Sequence, residues 1–152
     1  MTALAHAELL GCREAGEAEI GDCYELMRQL RPHLTSQEEF ITRWRRQCAD
    51  GYRILTLWSE QGPNRGPRAL AGYRITENLA HGKFLYVDDL VADESERGRG
   101  YGGQLLDKLK AEARAQGCNK LVLDTGLDNY LAHRFYFRQG LLAQALRFNI
   151  PL

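Results

Sequence analysis

Arg97-Gly98-Arg99-Gly100-Tyr101-Gly102 lies between two periodic segments: Phe84–Ala92, an apolar run that reads as a buried strand, and Gly102–Gln116, whose apolar residues recur at helical spacing. This junction constrains the fold more than any other stretch. A sheet must deliver the chain to a helix N-terminus through a loop whose glycines allow backbone conformations closed to other residues. Unpaired N–H groups and the positive end of the helix dipole converge at such a point, and two arginines flank it. A phosphate or pyrophosphate is the natural guest.

The rest of the chain limits what can surround that loop. With 152 residues and 44% hydrophobic content, one domain spanning residues 1–152 with a real core is expected. Charged residues make up 26% of the chain, yet the formal net charge is zero, which argues against nucleic-acid or membrane partners, since both need an extended excess of Lys and Arg. Cys12, Cys23, Cys48 and Cys118 are widely spaced without a C-x-x-C pair, so they read as reduced thiols rather than a metal site. No leader-like or membrane-spanning apolar run is evident, and a cytoplasmic location is the expectation.

Periodicity and punctuation set the expected element order. A first strand is expected around Glu8–Arg13, then a helix with Ile20, Cys23, Tyr24, Met27 and Leu30 on one face. Thr35 with Glu38, or Ser36 with Glu39, forms a capping-box signature before a second helix carrying Phe40, Ile41, Trp44 and Cys48 inward. Tyr52–Trp58 and Ala69–Thr76 read as strands around a Gly- and Pro-containing connection, Ser59–Arg68, and His81-Gly82 turns the chain into Phe84–Ala92. The Gly102–Gln116 helix buries Leu105, Leu106, Leu109 and Ala113 and ends at Gly117. Leu121–Leu123 follows as a short strand, then a helix with Ala132, Phe135 and Tyr136 inward that stops at Gly140, then a closing strand over Ala143–Ile150. The expectation is a mixed α/β sheet of six to seven strands flanked by helices, in the order βααβββαβαβ.

Three phosphate-binding readings compete for the loop. Gly98, Gly100 and Gly103 also satisfy G-x-G-x-x-G, with Asp124 some way downstream as a dinucleotide site would ask. Against it, the charged segment Asp93–Glu96 separates strand from glycines, and too little chain follows Asp124 for a doubly wound sheet. A nucleotide P-loop needs Lys and Ser or Thr after its last glycine, whereas Gln104 follows Gly103. The third reading is an acyl-coenzyme A loop. Arg97, Gly100 and Gly102 match Arg/Gln-x-x-Gly-x-Gly/Ala, and Asn129 to Leu141 matches Asn-x-x-Ala-x-x-x-Tyr-x-x-x-Gly-Phe at the same spacing, with Leu141 in place of the final Phe. Together these blocks resemble the GNAT superfamily of N-acetyltransferases over about Phe84–Leu141. Glu94 and Ser95 stand where that family frequently has a Pro.

The resemblance implies a site. Backbone N–H groups of Arg97, Gly98, Arg99, Gly100, Tyr101 and Gly102 would hold the pyrophosphate of acetyl-CoA. Leu90, Val91 and Ala92 would lie on a strand that splays from its neighbour, pairing with pantetheine and offering an N–H near Val91 to the thioester carbonyl. Tyr136 would be the general acid that protonates the leaving thiolate, its alternative being a core aromatic beside Phe135 and Phe137. Asn129 would cap the last helix, reach the cofactor, or do both.

The acceptor implied is a primary amine, either a small molecule or a protein amine, held near the first two helices, where Cys23, Tyr24, Met27, Arg31 and His33 are candidates alongside their ordinary packing roles. An amine is mostly protonated at neutral pH, so some base is expected: Asp88, Asp89, Glu94, Glu77, His133 or a water chain. With no Ser-His-Asp or Cys-His arrangement, direct attack in a ternary complex is expected, with no metal. The resemblance also permits a homodimer through the last strand. A non-catalytic acyl-CoA-binding regulatory module is the rival reading.

Overall fold

The computed structural model describes residues 10–63 and 65–152. Of the expected first strand, Glu8 and Leu9 lie outside the described residues; β1 is Gly11–Glu14. A 3-10 turn at Ile20–Cys23 leads into α1, Tyr24–Leu30, and α2 follows at Gln37–Cys48. Three strands come next, β2 (Arg53–Ser59), β3 (Gly66–Asn78) and β4 (Gly82–Ala92). After a 3-10 turn at Glu94–Glu96 come α3 (Tyr101–Ala115), β5 (Lys120–Leu123) and α4 (Tyr130–Arg138).

The strands form one sheet in sequence order, antiparallel from β1 to β4 and parallel between β4 and β5. Hairpins need only short turns, whereas a parallel pair needs a crossover, and α3 supplies it. This topology leaves no place for the doubly wound dinucleotide reading. One apolar cluster lies beneath α1 and α2 and includes Ile20, Tyr24, Met27, Phe40, Trp44, Tyr52, Ile54 and Leu70. A second gathers Leu57, Ala71, Leu85 and Val87 under Leu105, Leu106 and Leu109 of α3. The sheet is therefore sandwiched between helices, as its two apolar faces require.

Local signals account for the helix ends. Ser36 is the N-cap of α2, its hydroxyl accepting from Glu39 N at 3.0 Å, and Glu39 reaches back to Thr35 N at 2.8 Å. The first bond satisfies an orphan donor of the first turn, and the second ties the residue before the cap to the helix. Gly117 and Gly140, at φ 72° and 85°, follow α3 and α4 in the left-handed region that ends helices.

The closing strand over Ala143–Ile150 does not form, and the described residues hold five strands rather than six to seven. Alternating apolar residues are present there, but a local pattern supplies only a propensity, and tertiary context decides whether the strand pairs. Residues 141–152 pair with no strand, and Leu146 and Phe148 are 64% and 89% exposed. β3 is longer than expected, taking Gly66, Pro67 and Arg68 from the connection.

Candidate active site at the fork between β4 and β5

β5 has four residues and β4 has eleven, and this mismatch opens a fork in the sheet. Parallel pairing runs from Phe84 opposite Lys120 to Val87 opposite Leu123 and stops there. Beyond it β4 continues to Ala92 with β3 on one side, while no strand of the described residues flanks Asp88–Ala92 on the other. The splay is thus present where Leu90, Val91 and Ala92 were expected to line it.

A β-bulge sharpens the divergence. Gly72 pairs with Asp89 and Tyr73 with Val87, leaving Asp88 as the extra residue of β4. One inserted residue inverts the alternation of a strand. Leu85 and Val87 belong to the α3-side cluster before the bulge, and Leu90 and Ala92 after it, while Val91 turns toward α1 and α2.

The glycine loop lies at the end of this strand. Gly98 and Gly100 have φ of 81° and 79°, and nothing stands within 4 Å of where a Cβ would project from either. Gly100 is the left-handed N-cap residue of α3 and supplies no side-chain cap, so the N–H groups of Tyr101, Gly102 and Gly103 lack both intrahelical acceptors and a capping oxygen. A glycine-built, open helix N-terminus beside an unpaired strand edge fits the pyrophosphate and pantetheine arm of a coenzyme A thioester. Arg99 turns back to Glu96 at 2.8 Å, while Arg97 is exposed. Tyr101 is only 5% exposed, its ring in the core, which leaves its amide as the group able to meet a ligand. Gly102 has a packing reason of its own: a Cβ there would come within 3.0 Å of Phe135 Cζ on α4.

α4 brings Tyr136 against the cluster that holds Leu90 and Ala92. Burial raises the Tyr136 phenol above its ordinary value. Asn129 is the N-cap of α4, accepting from Ala132 N at 3.2 Å. His133 donates from Nε2 to Gly126 O at 2.8 Å and so pins the turn before α4.

Charged networks cluster at the bulge. Arg31, just past α1, donates from Nε to Asp89 Oδ1 at 2.8 Å and from Nη2 to Asp88 O at 2.7 Å. Tyr52 donates to Asp89 Oδ2 at 2.5 Å, and Arg74 joins Asp88 Oδ2 at 2.9 Å to Gln47 Oε1 at 3.0 Å. Burial pushes the Asp88 carboxyl up, with Arg74 opposing. Cys23, Tyr24 and Met27 are buried core residues rather than lining groups, and His33 is exposed. Sequence reasoning missed these pairings, although two adjacent aspartates inside an apolar strand signal a demand for buried cations.

Comparison with known proteins agrees with this geometry. Residues 20–141 match the acetyltransferase (GNAT) family. The chain is 31% identical over 137 residues to the uncharacterized N-acetyltransferase YhdJ of Bacillus subtilis, covering 88% of this chain and 92% of that one. It is 33% identical over 103 residues to glucosamine 6-phosphate N-acetyltransferase 1 of Oryza sativa subsp. japonica, covering 65% and 62%. The fold also superimposes, with a TM-score of 0.76 and 24% identity over 94% of this chain and 99% of that chain, on an acetyltransferase of Trypanosoma brucei. The chain therefore belongs to the GNAT acetyltransferase family, whose members transfer acetyl groups from acetyl-CoA to amines.

Proposed function

We propose that this chain acetylates a primary amine by direct attack on acetyl-CoA in a ternary complex at the fork between β4 and β5. The observation that carries the reading is that β4 outruns β5 and then leads into the uncapped N-terminus of α3. Amides from Arg97 to Gly102 hold the pyrophosphate, with Gly98 and Gly100 keeping the approach open. The unpaired edge at Leu90, Val91 and Ala92 receives the pantetheine arm, and an N–H near Val91 polarises the thioester carbonyl. The amine nitrogen bonds to the acetyl carbon as the carbon–sulfur bond breaks; Tyr136 gives its proton to the departing sulfur, and the surplus proton on nitrogen passes to water, from which the Tyr136 phenolate is reprotonated. Asn129 keeps its side-chain amide N–H groups for the cofactor while its oxygen caps α4.

Asp88 and Asp89 are poor choices of base, because each is already closed by an arginine. Water at the open fork takes that role. The acceptor is a small-molecule amine, as the name of the rice relative indicates for that enzyme. An acetyl-CoA thermal shift followed by a thiol-release assay over an amine panel tests the reading. A protein that is stabilised by acetyl-CoA yet releases no thiol with any amine, or that shows ping-pong kinetics, overturns it.

The proposal extends to a homodimer. Among the described residues β5 is an outer strand of the sheet, and Leu142, Leu146, Phe148 and Ile150 stand exposed on the segment after α4, which joins no strand. Such edges and strands are commonly covered by a second copy. Light scattering across a concentration series reads the assembly directly.

A further inference from the structure

Three aspartates surround the fork, and two of them are closed by packed elements: Asp89 by Arg31 and Tyr52, and Asp88 by Arg74 of β3. Asp124 differs. It is the first residue after β5, immediately past the final pairing of Val87 with Leu123, and so stands where the two strands part. Leu121 and Leu123 pack on the α3 side of the sheet, as do Leu85 and Val87. Alternation therefore sends Tyr86 and Asp124 to the opposite face, and Tyr86 Oη donates to Asp124 Oδ2 at 2.5 Å. The glycine loop leads into α3, on the other face, so Asp124 faces the side from which an acceptor would approach.

The seat already holds a cation. Arg147 pairs with Asp124, donates to Tyr86 Oη at 3.1 Å, and lies with its guanidinium carbon 5.8 Å from the centre of the Tyr86 ring. A carboxylate backed by a phenol and an aromatic face is a chemically complete receptor for an alkylammonium or guanidinium group. The holder is poorly anchored. Among the described residues, Arg147 makes the only polar contacts of residues 142–152, a segment that joins no strand.

We propose that Asp124 and Tyr86 form the specificity seat for a second, cationic group on the acceptor amine, and that Arg147 occupies it until such a substrate displaces it. The favoured acceptors are then straight-chain diamines or amines bearing a guanidinium: one cationic end rests on Asp124 while the other amine reaches along β4 toward Leu90. This inference rests on attack taking place at the fork.

The test compares 1,4-diaminobutane and 1,6-diaminohexane with n-butylamine and n-hexylamine, by thiol release and by calorimetry, in wild type, Asp124→Asn and Arg147→Gln. A diamine preference of about tenfold in kcat/KM is expected, the order of one charge-assisted hydrogen bond. Asp124→Asn should abolish the preference and weaken diamine binding by a similar factor, while Arg147→Gln should tighten it. The rise in Tm caused by acetyl-CoA should be the same in all three proteins. Diamine binding unchanged in Asp124→Asn, or no diamine preference in either wild type or Arg147→Gln, overturns the proposal. Failure of the ternary-complex reading looks different: the acetyl-CoA shift, or thiol release with every amine, is then missing from wild type itself.

Discussion

Tyr52 reaches across Gly72 to Asp89, its hydroxyl 2.5 Å from Oδ2, through space that a side chain on residue 72 would fill. A Cβ there would lie 2.1 Å from the Tyr52 oxygen and 2.5 Å from Asp89 Oδ2. The contact binds the residue before β2, the middle of β3 and the bulge of β4 into one unit, and Arg31 ties the end of α1 to it. Gly72→Ala should therefore cost about 1–3 kcal/mol, as overpacking of a filled interior does. Urea unfolding should show a lower midpoint at unchanged slope; an unmoved midpoint would mean that Tyr52 has another place to go.

Gly100→Val should abolish acetyl-CoA binding. The position has φ of 79°, which a β-branched residue adopts only with strain, and the free space beside it is the approach to the α3 amides. Calorimetry on the folded variant checks this. Affinity equal to that of wild type would move the pyrophosphate elsewhere.

Tyr136→Phe should lower kcat by about 10²–10³-fold and leave the affinity for acetyl-CoA intact, the pattern of a lost proton donor. Because burial raises the Tyr136 pKa, the alkaline fall in wild-type kcat should come above pH 10, the ordinary phenol value. Undiminished turnover in the variant would reduce Tyr136 to packing.

Alkaline pH should destabilise the fold through its tyrosines. Burial, with nearby acidic groups adding, pushes Tyr73 and Tyr86 up to about 12, and Tyr52 is also raised, by burial and then Asp89. The folded chain thus holds these protons more tightly than the unfolded chain. The resulting stability is complete below about pH 10, the unfolded value, and is lost as pH rises through 12. Tyr73→Phe should flatten this stretch of the profile of unfolding free energy against pH.

Ser36→Ala should cost about 1 kcal/mol by removing the α2 cap. A variant with the melting temperature of wild type would show that the Thr35–Glu39 bonds suffice alone.

Legibility followed the range of the interactions. α3 is readable to within one residue because its apolar stripe and Gly117 are local signals, and Ser36 with Glu39 is readable for the same reason. The glycine loop is legible because its chemistry resides in consecutive backbone groups. The fork is not, since it depends on β5 stopping at Leu123 while β4, far away in sequence, continues. Nor is the partner of Asp89, because Arg31 and Tyr52 lie 58 and 37 residues away. Ala143–Ile150 fails in the opposite sense: it has the alternation of a strand but pairs with none, because tertiary context and not the local pattern decides pairing.

The unequal lengths of β4 and β5 also set a pattern of solvent access. Among the described residues no strand neighbours the outer edge of residues 88–92, so amides directed into the gap should trade deuterium quickly while those facing β3 stay slow. Saturating acetyl-CoA should then convert an alternating pattern into a uniformly slow one, making the coenzyme the missing sixth strand of this sheet.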